Sequence, residues 1–122
     1  MKVSTVILRT SDLDRSVGFW TDKVGLLLLG RHEAFAFLDA GSIQLVLNQV
    51  EGDLEDHSMT EVVLEVDDMS AAYVAMTGRG VPFEVEPRVV TSDGSRNLLA
   101  AHFYDPDGHG ASITGWVPVV SK

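Results

Sequence analysis

The chain has no cysteine, few basic residues and no long apolar run. The missing cysteine rules out disulfides, thiolate metal sites and cysteine nucleophiles together. Nine Lys and Arg stand against 18 Asp and Glu, a formal net charge of −9. Such an acidic excess is repelled by phosphate backbones and by anionic lipid, so neither nucleic acid nor a membrane surface is an expected partner. No apolar stretch approaches the roughly 20 residues of a membrane span. Met1-Lys2-Val3-Ser4 enters strand-like sequence directly, without the layout of a signal peptide, and the expected location is the cytoplasm.

What is present is material for a core. Forty-five per cent of the 122 residues are hydrophobic. That excludes wholesale disorder and fits one domain over residues 1–122. The acid is concentrated: Glu51, Asp53, Glu55, Asp56, Glu61, Glu65, Asp67 and Asp68 place eight carboxylates within eighteen residues, with no Lys or Arg among them. Such a run is either a solvated loop leading into a helix or a field that attracts cationic ligands.

The chain repeats itself. Val6–Leu13 lies against Val62–Met69 at an offset of 56, and the match continues with Val17 against Tyr73, Trp20 against Met76 and Thr21 against Thr77. Each copy reads as an apolar strand, an acidic cap and an amphipathic helix. In the first, residues 3–9 form a strand, and Ser11 is the expected N-cap, with Asp14 three residues on. Leu13, Val17, Trp20 and Val24 recur at helical spacing, and Gly25 sits where a helix C-terminal glycine is wanted. Leu26–Arg31, Ala34–Asp39 and Ser42–Asn48 read as strands, with Ala40-Gly41 as a turn. Residues 50–58 read as a linker. In the second copy Thr60–Val66 is a strand, and Asp67 or Asp68 caps a helix with the stripe Met69, Ala72, Tyr73 and Met76. That helix ends at Thr77-Gly78-Arg79-Gly80. Val81–Val90 follows as a strand open to breakage at Pro82 or Pro87. Thr91–Ser95 reads as a loop, Arg96–Tyr104 as a strand, Asp105-Pro106-Asp107-Gly108 as a turn and Gly110–Trp116 as the last strand. The class is α+β: two tandem β-α-β-β-β modules, about residues 1–50 and 58–118.

Two such units, each with the same opening, and Phe103-Tyr104-Asp105-Pro106-Asp107-Gly108 before the last strand resemble the vicinal oxygen chelate superfamily. That group includes glyoxalase I, bleomycin-resistance proteins, extradiol dioxygenases, methylmalonyl-CoA epimerase and fosfomycin-resistance enzymes. The resemblance covers roughly residues 3–117. It implies that the two mixed sheets curl into a cup with helices outside and the ligand within. In the family's metalloenzymes, first and last strands of each module supply the ligands of one divalent metal. The resemblance carries those positions to Thr5 and Gln44, then Glu61 and Ser112. Thr5 and Glu61 are also equivalent at the offset of 56, and Gln44 is matched with Ser112. One carboxylate, one amide and two hydroxyls make a poor donor set, so no metal or other cofactor is expected. His102, on the neighbouring strand, is the one imidazole that could add a ligand.

Strand parity sorts the remaining residues. If those four face the cup, so do Ile7, Arg9, Val46, Asn48, Val63, Glu65, Thr114 and Trp116. The opposite set, Val6, Leu8, Ile43, Leu45, Leu47, Val62, Leu64, Val66 and Ile113, is wholly apolar and belongs under the helices. Phe35 and Phe37 share a side that is either core or cup wall. Trp20 and Tyr73 lie on helical stripes and are core. His109 reads as a turn residue, His32 as a strand end and His57 as linker. Glu61 is either at a solvated rim or faces a ligand, with Arg9, His102 or a ligand cation as its counter-charge.

The first functional expectation is a homodimer that binds a small organic molecule, cationic or aromatic, as bleomycin-resistance proteins sequester theirs. Its ligand-binding residues would be Thr5, Gln44, Asn48, Glu61, His102, Ser112, Thr114 and Trp116, with Glu65 adding to the attraction of a cation. The alternative is a glyoxalase-, epimerase- or dioxygenase-like enzyme with a degenerate metal or none, in which Glu61 acts as base and His102 as acid. A third possibility is a module that has lost ligand binding. Ser112 has no acid–base relay in the sequence to make it a nucleophile.

Overall fold

The computed structural model describes residues 4–51 and 61–119. Expectations for residue 3, most of the 50–58 linker with His57, and Thr60 lie outside the described residues. Strand β1 (Thr5–Thr10) leads into helix α1 (Leu13–Gly18), continued by a wider π-helical stretch, Phe19–Val24. Strands β2 (Leu27–His32), β3 (Phe35–Asp39) and β4 (Gln44–Gln49) complete the first module. The second runs β5 (Glu61–Glu65), α2 (Met69–Gly78), β6 (Phe83–Ser92), β7 (Arg96–Tyr104) and β8 (Gly110–Pro118). Each module is one mixed sheet, ordered β1-β4-β3-β2 and β5-β8-β7-β6, with its first and last strands parallel. The α+β class and the tandem modules are as expected.

The cap of α1 is Asp12, not Ser11. Asp12 is extended, with φ −145° and ψ 97°, and its carboxylate accepts the backbone N–H of Arg15 at 3.1 Å. Two contacts hold it there: Thr10 Oγ1 accepts the N–H of Asp12 at 3.1 Å, and Gln49 Oε1 takes the N–H of Leu13 at 3.0 Å. In α2 the cap is Asp68, accepting from Ala71 at 3.0 Å. The expected stripe Leu13, Val17, Trp20 and Val24 is buried. Its last part is wound differently because Thr21 Oγ1 donates to the Val17 carbonyl at 2.7 Å, and Gly25 N–H reaches back five residues to Trp20 at 3.2 Å. Gly25 ends the segment in the left-handed region at φ 104°.

Strand β6 begins two residues later than expected and runs to Ser92, straight through Pro87. It accommodates the proline by an irregularity in its pairing with β7 between Val85 and Arg88. The hairpin tip shrinks to residues 93–95, where Asp93 Oδ1 accepts from the backbone of Ser95 at 3.0 Å and of Arg96 at 2.8 Å. Those bonds, that from Arg96 foremost, hold the Asp93 carboxyl down at about 2. Strand β8 extends past Trp116 to Pro118.

Helix α1 lies on β3 and β4, and α2 on β6 and β8. The apolar parity set fills the space beneath them: Leu8, Leu45, Leu47 and Ile113 are buried, with Val6, Val62, Leu64 and Val66 packed against them. The modules meet through rings and hydrogen bonds rather than a shared sheet. Trp20 and Phe19 pack on Phe103, with centroids 6.4 and 6.0 Å apart. Arg15 pairs with Asp107 at 2.6 Å, and Arg79 Nε donates to the Lys23 carbonyl at 2.8 Å. Among the described residues no helix is long and apolar enough to cross a membrane.

Gly115 lies where the start of α2 comes close to β8. A methyl group there would lie 3.2 Å from both the Val66 carbonyl oxygen and Met69 Cβ. Gly115→Ala is therefore expected to lower unfolding free energy by about 1–3 kcal/mol in urea titrations, because one obstacle is backbone and cannot turn aside. An unchanged midpoint would mean that α2 shifts freely.

Candidate functional site

The candidate residues lie on the two helix-free sheet faces, where Val46 and Ser112 of the expected cup set are buried. In β1 and β5, Thr5, Ile7, Arg9, Glu61, Val63 and Glu65 are exposed, while Leu8 is buried and Val62 and Leu64 are half-buried. The open question about β3 is resolved. Ala36 and Leu38 are fully buried in the core, so Phe35 and Phe37 face the cup, their rings stacked with centroids 6.4 Å apart.

In the second module Glu61 and His102 come together. His102 Nδ1 lies 2.8 Å from Glu61 Oε1. An ionised carboxylate only accepts, so the imidazole donates from Nδ1 and leaves Nε2 for other partners. The strand ladder makes the meeting possible: His102 is opposite Ser112 on β8, and β8 pairs with β5. Both side chains line a cavity of about 240 Å3 that also takes in Glu84, Arg88 and Tyr104. Glu61 borders a second cavity of similar volume, on the seam between β1 and β5, where Arg9 and His109 also contribute.

Other expected site residues stand apart. Thr5 and Gln44 face each other across the β1–β4 ladder and line a separate hollow with Leu29 and Asp39. Asn48 is opposite Phe35 and Arg9. Thr114 is opposite Glu65 and Ala100, and Glu65 lines a different cavity from Glu61, with Ala40, Gly41 and Met76. Glu61 and Glu65, expected to act together on one cation, therefore do not share a cavity, and it is Glu84 that lines the cavity of Glu61 and His102. Trp116 is half-exposed, and one ring face is occupied by the Arg96 guanidinium, 4.7 Å from the centroid. The pairing of Gln44 with Ser112 as equivalents is corrected by the ladders. Thr5 pairs with Gln44, whereas Glu61 pairs with Gly110, and Ser112 sits two residues further along, opposite Val63.

The sequence reading missed His109. It is buried rather than a plain turn residue, and its Nε2 donates to the Arg9 carbonyl of the other module at 2.7 Å. Beside it the Asp105 carboxylate accepts the N–H groups of Asp107 and His109 at 3.0 and 2.8 Å, and the Trp20 indole N–H at 3.2 Å. A histidine directly after a glycine turn gives no local signal of such a reach.

The four positions at which the superfamily's metalloenzymes hold their ion do not fit one here. With Gly110 rather than Ser112 opposite Glu61, one position offers a hydroxyl, one an amide and one no side chain, and the single carboxylate is already engaged by His102. Among the described residues no group of three or more His, Asp or Glu is gathered closely enough to hold a metal.

Comparison with known proteins agrees with the architecture. Residues 2–113 match the family model of the Glyoxalase/Bleomycin resistance protein/Dioxygenase superfamily. Metallothiol transferase FosB of Lysinibacillus sphaericus (strain C3-41) is 26% identical over 117 residues, covering 88% of this chain and 77% of that protein. Two solved structures share the fold. TnmS3, an antibiotic binding protein from Streptomyces sp. CB03234, superposes with TM-score 0.75 at 21% identity, over 98% of this chain and 97% of that one. A glyoxalase/bleomycin resistance protein/dioxygenase from Alicyclobacillus acidocaldarius gives 0.78 at 20%, over 94% and 91%.

Proposed function

The chain belongs to the Glyoxalase/Bleomycin resistance protein/Dioxygenase superfamily, and we propose that it binds a small cationic or aromatic molecule without transforming it. One observation carries this reading. The Glu61–His102 pair lines a cavity of about 240 Å3, and Glu61 stands where the resemblance places a metal ligand, with a donor set around it that does not suit one. A half-desolvated carboxylate favours a positive partner, and Glu84 on the same wall adds to the attraction. Trp116 and the stacked Phe35–Phe37 pair offer flat apolar surface at the edges of the cups. An antibiotic-binding protein among the structural neighbours supports the same reading.

The cavity is smaller than the roughly 300–1,000 Å3 of most ligand pockets, so one module covers only part of a drug-sized molecule. We therefore propose a homodimer in which a second copy covers the rest. Ile7, Val63 and Phe35 are 54%, 58% and 37% exposed on the cup faces, and such contact would bury them. Sedimentation of the purified protein checks this; a monomer at micromolar concentration refutes it.

Titration with cationic aromatic dyes tests the binding itself. Fluorescence of the half-exposed Trp116 is expected to fall on binding. Glu61→Gln is expected to weaken affinity by about 10- to 100-fold, the worth of a hydrogen bond or ion pair to a charged group. Equal affinity in the variant rejects the role of Glu61.

The same hydrogen-bonded pair supports a second reading, general acid–base catalysis. Mass spectrometry of the recovered ligand separates the two: unchanged ligand favours sequestration, and a Glu61-dependent product favours an enzyme.

A further inference from the structure

Arg88 occupies a place that sequence alternation does not give it. On β6, Val85 is opposite His102 and Arg88 is opposite Ala100, so three steps along β6 match two along β7. One extra residue is absorbed between them, where Pro87 has no N–H to lose from the ladder. Regular alternation from Val85 would turn Arg88 to the side of Phe103 and the core, where a guanidinium is intolerable. The bulge turns it to the side of Ala100, His102 and Tyr104, and Arg88 lines the cavity of Glu61 and Glu84.

There it is an exposed cation with no carboxylate partner among the described residues. The ion pairs among the described residues involve Arg15, Arg31, His32, Arg96 and His102, not Arg88, although the chain carries twice as many acids as bases. A guanidinium presents a planar fork of donors that matches a carboxylate in two parallel hydrogen bonds. Across the same cavity the Glu61 and Glu84 carboxylates favour the opposite charge.

We infer that Arg88 anchors an acidic group of the ligand, so that this cup selects amphoteric molecules, with a cationic end at Glu61 and a carboxylate end at Arg88. The inference rests on the cup being the binding site proposed above, and it makes Arg88 a specificity-determining residue within it.

Three matched probes test it by NMR titration: 4-(aminomethyl)benzoate with both charges, benzylamine with the cation alone and benzoate with the anion alone. The doubly charged probe is expected to bind about tenfold tighter than either single-charge probe. Arg88→Gln is expected to reduce it to the affinity of benzylamine and to leave benzylamine within twofold. Arg88→Lys, which keeps the charge but not the fork, should fall between. Arg88 is exposed on an outer strand, and circular dichroism confirms that each variant keeps the fold. Acids that bind no better to the native chain than to Arg88→Gln overturn the inference. If benzoate binding depends on Arg88 while benzylamine binding ignores Glu61→Gln, the anion anchor stands and the cationic half of the binding reading fails.

Discussion

Trp20→Ala is expected to lower unfolding free energy by about 3–5 kcal/mol, enough to leave a domain of ordinary stability partly unfolded at 37 °C. Trp20 is fully buried. Its ring stands edge-on to Phe19 at 5.6 Å and tilted against Phe103 of the other module. The truncation opens a cavity at the junction of the modules and removes the N–H that Asp105 Oδ2 accepts. Trp20→Phe separates the two losses. It keeps most of the apolar contact and abolishes the donor, and it should cost about 1–3 kcal/mol. Urea unfolding of both variants provides the measurement. A loss below 1 kcal/mol for Trp20→Ala would mean that the modules hold together without this side chain.

Asp105 gives the second large effect, and it depends on pH. Burial is the dominant influence and pushes its carboxyl above the ordinary 3.8; the nearby charge of Asp107 adds to the rise. The His109 N–H, the His109 charge and the Trp20 indole pull the other way. A carboxyl raised on folding holds its proton more tightly in the native state. Its contribution to stability is therefore complete below about pH 3.8 and is lost as pH climbs through the raised folded value. Asp105→Asn cannot ionise, so the native chain should lose stability relative to this variant over that window and run parallel to it above. The variant carries its own offset of about 1–3 kcal/mol, because an amide cannot accept from His109, Asp107 and Trp20 on both of its ends. Urea midpoints of the two proteins from pH 3 to 8 decide the matter. A relative stability that rises with pH would show that the hydrogen bonds outweigh burial.

Much of this fold was legible because its signals are local or periodic. The 56-residue offset revealed two modules, and period-two alternation sorted Leu8, Leu45 and Ile113 beneath the helices before any coordinates. Cap chemistry located the helix starts to within a residue. The choice of Asp12 over Ser11 was decided by Thr10 and Gln49, the latter 36 residues from the amide it accepts. Phe35 and Phe37 were ambiguous because aromatic rings suit a core and a ligand cup alike. Parity together with the family resemblance placed Glu61 and His102 on one face, though not their 2.8 Å contact. Arg88 was invisible, because one bulge reverses the parity of every residue after it and no composition rule places a bulge.

The contact between Arg79 and Lys23 carries a consequence for the symmetry of the repeat. The two positions are 56 apart, the spacing of the repeat, and they touch at the C-terminal ends of the two helical segments. Where two copies are related by a two-fold axis, a residue meets its own counterpart only on that axis. In a homodimer of two identical modules such a contact would be isologous, with two sets of unpaired terminal carbonyls and two negative dipole ends facing each other. Each copy would have to offer donor and acceptor at one position. Within one chain that demand is absent: Arg79 supplies the guanidinium, Lys23 and Val24 supply the carbonyls, and the contact is asymmetric.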